Sequence, residues 1–130
     1  MHKNLTITSL LGALAVVLGA FGAHVLKAKL SSEALQSFET GVRYQIYHVF
    51  ALLIVNIYNG FSQKQKNKIS YFFFAGIACF SGSIYAIYLL NIPAKKIWFV
   101  TPLGGVLFII GWLLLAFSFY KNSSKNSRIN

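Results

Sequence analysis

A chain of 130 residues with 56% apolar and only 11% charged residues has room for one domain and departs from the composition of soluble proteins. Twelve Lys and Arg face two acids, Glu33 and Glu39. In a soluble protein that excess points to nucleic acid, but here the cations punctuate long apolar runs, as they do around membrane spans, so no nucleic-acid partner is expected.

The first apolar run covers residues 5–26; three more follow at 44–60, 69–90 and 97–120. Each is near the roughly 20 residues that cross a bilayer, and none contains a charge in its core. Backbone facing lipid must bond within its own segment, and the alternation of a barrel strand is absent, so the runs are expected to be helices. The predicted fold is an all-α membrane protein, a four-helix bundle of four transmembrane helices in one domain over 1–120. A polar basic tail over 121–130 is expected to have little fixed structure. Residues 1–23 also resemble a signal peptide, but the run is longer than a usual signal core and His24 follows directly, which favours a retained span.

Along the first span, Gly12, Ala15, Gly19, Gly22 and Ala23 form one small-residue stripe, and Ser9, Ala13, Ala20 and His24 form another. Small residues let membrane helices approach closely, so two stripes predict a helix packed on two sides, within a bundle or an oligomer.

The next segment, "SSEALQSFETG", reads as a short amphipathic helix in the interface plane. Ser31 or Ser32 can cap it, Glu33 suits its first turn, and Gly41 can end it. On the second span Tyr44, Gln45, His48, Asn56 and Asn59 share one face, opposite Ile46, Phe50, Leu53, Ile54 and Ile57. Arg43 falls outside the polar stripe, one turn after Glu39, where it can snorkel or pair. His24, Glu39, Arg43, Tyr44, Gln45 and His48 are therefore expected to converge near one membrane surface, at the mouth of spans one and two. Such a cluster can relay protons, bind a metal or hold a polar ligand; it can also simply hydrogen-bond one helix to the next. The structural reading stands first, because interhelical polar contacts are often worth about 1 kcal/mol, while two histidines without an established third ligand make a weak metal signal.

The third span carries Ala75, Cys79 and Ser83 in one row and Ala78, Gly82 and Ala86 in another; the fourth carries Gly104, Gly105 and Gly111. Close helix packing accounts for all of them. "PLGG" lacks the lysine and the preceding strand of a phosphate loop, and the single Cys79 excludes an internal disulfide. No metal or cofactor is expected. Pro93 falls in the turn before the fourth span and Pro102 near its start, where a missing N–H costs little. Trp98, Tyr58 and Tyr120 suit interfacial belts. Seven basic residues lie on the side of the termini against five on the other, which places the termini in the cytoplasm.

"GALAVVLGAFGAHVLK", "ETGVRYQIYHVFALL" and "TPLGGVLFIIGWLLL" resemble the signatures of domain-of-unknown-function family 423, the YgdD/YwdK-like small bacterial inner-membrane proteins, which are similar to eukaryotic transmembrane protein 256. The resemblance runs from about Leu5 to Leu115. It places His24, Tyr44, Gln45, His48 and the glycines of "TPLGG" on motif positions, with Val25 where a glycine is expected. It implies a four-span inner-membrane protein and supplies no activity.

Three functions remain to be weighed. A non-enzymatic module or accessory subunit, packing with itself or with a larger membrane partner in the lipid bilayer, fits the small-residue stripes. A small oligomeric carrier or channel would line its pathway with Gln45, His48, Asn56 and Asn59; a wet axis beside Asn56 favours it and dry packing there favours the module. An intramembrane enzyme using His24, Glu39 and His48 comes last, since no nucleophile–base or metal motif accompanies them.

Overall fold

A computed structural model describes residues 2–128; positions 1, 129 and 130, the last two of the expected tail, lie outside the described residues. The regular elements are all helical: α1 (Lys3–His24), a 3₁₀ turn (Leu26–Ala28), α2 (Ser32–Ile57), α3 (Gln63–Leu89), α4 (Ala94–Ile97) and α5 (Val100–Ser127). Three segments, Lys3–Ala28, Gln63–Leu89 and Ala94–Ser127, are long and apolar enough to cross a membrane. The chain is thus an all-α membrane protein.

Local chemistry explains most helix ends. In α1 the hydroxyls of Thr6, Thr8 and Ser9 donate to carbonyls four residues back, which satisfies them inside an apolar helix. Val25 keeps a right-handed helical conformation and its N–H bonds to the Phe21 carbonyl, so the chain leaves α1 through the 3₁₀ turn and needs no glycine there. Ser31 caps α2 by accepting from the Ala34 N–H. Ser62 and Gln65 cap α3 with a reciprocal box. After α3, Asn91 takes the left-handed conformation (φ 54°) that asparagine tolerates, and the chain turns toward Pro93.

Two expectations are corrected. The separate interfacial helix does not exist, because α2 runs unbroken from Ser32 through Gly41 to Ile57. A helical glycine costs only about 1 kcal/mol, and Gly41 is buried against Ile84, so packing carries the helix across it. The start of the tail is also ordered: α5 continues to Ser127, and Asn122 donates from Nδ2 to the Gly60 carbonyl.

Neighbours in sequence pack antiparallel: α1 on α2, α2 on α3, α3 on α5. Across α1 and α2, Gly22 lies against Phe38, Gly19 against Val42 and Gly12 against Val49, and Asn4 bonds Asn56. The two helices are therefore in register along their whole lengths. Between α3 and α5, Gly76 receives Phe108, Gly111 receives Phe73, and Gly104 touches the backbone of Phe80. A methyl added at Gly82 would meet only the Ile77 carbonyl oxygen of its own helix, at 3.9 Å, and one at Gly105 would face open space, so the close approach expected of them is absent. The core joins Leu52, Val55, Ile69, Phe73, Phe108 and Leu115. Of the two stripes on α1, the first packs inward, with Ala15 and Gly22 buried, Gly12 and Gly19 half-buried and only Ala23 of its members exposed; Ser9, Ala13, Ala20 and His24 of the second are all exposed.

Candidate functional site

Because α2 begins at Ser32 rather than near Tyr44, Gln45 and His48 sit in the middle of their helix. They are not at its mouth. Both are nearly fully buried, at 1% and 4% exposure. Gln45 donates from Nε2 to the Leu11 carbonyl of α1 (2.8 Å) and accepts from the Tyr85 hydroxyl of α3 (2.6 Å). One amide thus ties three helices together.

His48 makes equally full use of its ring. Nδ1 lies 2.7 Å from the Tyr44 carbonyl, an acceptor, so Nδ1 carries hydrogen. Nε2 accepts from Trp112 Nε1 on α5 at 3.0 Å. The ring is stacked on Phe108 and tilted against Phe73. Neutral imidazole with hydrogen on Nδ1 meets both partners; a second proton on Nε2 would displace the Trp112 bond.

The expected convergence of six residues does not form. The α1–α2 register sets His48 level with Gly12 and Ala13, about eleven residues from His24, which is about 17 Å along the helix. His24, Glu39 and Arg43 are exposed, and Tyr44 is 40% exposed with its ring against Phe80. Among the described residues no group of three His, Cys, Asp or Glu side chains comes together to hold a metal.

A second polar centre lies near the end of α2. Asn56 donates to the Leu52 carbonyl and to Ser70 Oγ, and accepts from Asn4, which also donates to Asn67. Lys66, 8% exposed, places its ammonium 2.8 Å from the Asn56 carbonyl. Asn59 is exposed in the turn beyond Ile57 and contributes nothing to this centre. Ser81 donates to the Gly41 carbonyl, and Ser83 meets Thr101. Among the described residues, no buried side-chain nitrogen or oxygen lacks a partner.

Sequence reasoning missed Asn4, Lys66, Ser70, Ser81, Tyr85 and Trp112. Polar residues recurring inside apolar runs (Ser70, Ser81, Ser83, Tyr85) were a usable signal, since in lipid they need partners on other helices.

A profile described as a protein of unknown function (DUF423) matches residues 18–105. A UPF0382 membrane protein of Staphylococcus aureus (strain bovine RF122 / ET3-1) is 45% identical over 116 residues, covering 86% of this chain and 93% of that one. A UPF0382 membrane protein of Haemophilus influenzae is 39% identical over 127 residues, covering 95% and 98%. No solved structure matches the chain.

Proposed function

The chain belongs to the DUF423 family of small bacterial membrane proteins of unknown function, and from that membership we propose that it is a non-enzymatic membrane module that assembles with copies of itself or with a larger partner. One observation carries the reading: the polar groups at the centre of the molecule are consumed in holding its own helices together. Each buried side-chain nitrogen and oxygen of Gln45, His48 and Asn56 already has a partner within the protein. A carrier or channel lined by these residues would need such atoms free and wetted. The exposed side of α1, with Leu10, Leu14 and Val17 among Ser9, Ala13 and Ala20, is the face offered to a partner helix.

The proposal includes four spans within one domain. α2 has 26 residues against 22 in α1, about 39 and 33 Å long, and packs beside α1 from end to end. A helix so placed crosses whatever its neighbour crosses, despite Glu39 and Arg43. Side chains tilt toward a helix's N-terminus, so Arg43 leans toward the α1–α2 hairpin and its headgroup layer. The membrane is the bacterial inner membrane, with the seven basic residues of the terminal end in the cytoplasm.

The test is disulfide crosslinking in native membranes of Ala13→Cys made in a Cys79→Ser background. A crosslinked dimer, or one larger adduct, is expected. Failure to crosslink at Ala13, together with solute flux in proteoliposomes that Asn56→Ala abolishes, would replace the module by the carrier.

A further inference from the structure

At the terminal end of the molecule, the start of α3 and the end of α5 line an open groove of about 390 Å³, within the roughly 300–1,000 Å³ typical of small-ligand sites. Lys64 and Lys68 stand one turn apart on α3, and Lys121 and Lys125 one turn apart on α5; all four line the groove and all are exposed. Its inner part is mainly apolar, formed by Ile69, Leu114 and Phe117 beside the hydroxyl of Ser118. The two helices run in opposite directions, so both set their lysines outermost and their apolar residues deeper. Polarity therefore changes along the groove in one direction, from the headgroup layer toward the hydrocarbon.

Among the described residues no acidic side chain lies beside these cations. The only acids, Glu33 and Glu39, lie on the first half of α2, toward the opposite end. The rim is fixed as well: Asn122 is tied to the Gly60 carbonyl, and the Ser62–Gln65 box holds the first turn of α3. Four lysines lining the outer part of the groove, above an aromatic and aliphatic wall, match a ligand that is anionic at one end and apolar at the other.

We propose that this groove is a binding site for an anionic phospholipid, its phosphodiester among Lys64, Lys68, Lys121 and Lys125 and an acyl chain along Leu114 and Phe117. The site requires membrane insertion only. It goes beyond the module reading and stands whether or not the protein assembles.

The purified full-length chain is delipidated and titrated with dioctanoyl-phosphatidylglycerol, with dioctanoyl-phosphatidylcholine and inorganic phosphate as separate arms, by native mass spectrometry. Each lysine near an anionic surface is worth about fivefold in affinity, so Lys68→Gln/Lys121→Gln should weaken phosphatidylglycerol binding by roughly tenfold or more. Lys68→Arg/Lys121→Arg should retain it, and Lys95→Gln/Lys96→Gln, which removes the same charge at α4, should leave it unchanged. Equal losses from the α3–α5 and α4 pairs would reduce the effect to diffuse attraction and overturn the site. Displacement of the lipid by inorganic phosphate at matched concentration, or equal binding of phosphatidylcholine, would overturn it too, as a free-anion or an unselective apolar groove respectively.

Discussion

The imidazole of His48 lies flat on the ring of Phe108, with centroids 3.6 Å apart and planes 7° from parallel. Its edge holds Trp112 on α5 and the Tyr44 carbonyl on its own helix. A side chain that stacks on one face and uses both nitrogens works as a joint between α2 and α5, and little of it is left for a ligand.

That joint is measurable. His48→Phe keeps an aromatic ring against Phe108 but removes the acceptor for Trp112, while Trp112→Phe removes the donor. A double-mutant cycle on unfolding in detergent should give a coupling energy of about 0.6–1.7 kcal/mol, the range of interhelical hydrogen bonds in membranes. Additive losses would show that the bond contributes nothing beyond packing.

Adjacent glycines should respond oppositely. A methyl at Gly104 meets the backbone N and Cα of Phe80, which cannot rotate away, so Gly104→Ala should destabilise by about 1–3 kcal/mol. At Gly105 a methyl meets nothing within 4 Å. Gly105→Ala should be neutral, or stabilising by up to about 1 kcal/mol through helix propensity. Thermal unfolding of the two variants side by side decides the matter.

Asn56→Ala removes an acceptor from Asn4 and a donor from Ser70 at a buried position, and should cost about 2 kcal/mol. Lys66→Met keeps the apolar stem and removes the ammonium from the Asn56 carbonyl, near the negative end of α2. Its expected cost is smaller, about 1 kcal/mol. If Asn56→Ala unfolds no more easily than wild type, the network does not hold these helices together.

Single cysteines at Lys29, Asn59, Lys95 and Lys125, placed in a Cys79→Ser background, test the crossing of α2. Lys29 and Lys95 should react with a membrane-impermeant thiol reagent from one side, and Asn59 and Lys125 from the other. Lys29 and Asn59 labelling from the same side would remove α2 from the membrane.

The apolar runs showed where α1, α3 and α5 lie, because uninterrupted hydrophobicity of that length has few other solutions. The glycines at Gly12, Gly19 and Gly22 carried the packing face of α1 in their spacing. The course of α2 was hidden by Glu39, Gly41 and Arg43, three residues that end or exclude an apolar run but need not end a helix. A sharper cue was available: residues 27–43 form a long connection for so small a bundle, longer than the 12–15 residues that unstructured loops seldom exceed. Starting the second span at Tyr44, rather than at Ser32, moved Gln45 and His48 from mid-depth to the surface and created an apparent cluster with His24. A helical wheel gave the direction in which Gln45 and His48 point. It held no information on Tyr85 or Trp112, which meet them only through tertiary register.

Gln45 and Asn56 bear on the order in which the protein is made. In the four-span arrangement α2 is a polar crossing, with two acids, an arginine, two glutamines, a histidine and an asparagine along its length. The partners of Gln45 and Asn56 are on α1, synthesised earlier, and on α3, synthesised later. As it leaves the ribosome, α2 has one of its two neighbours and half of its bonds. Its stable entry into the bilayer is therefore coupled to the emergence of Ser70, Ser81 and Tyr85, and a truncation before Ser70 should leave α2 poorly inserted even though every one of its own residues is present.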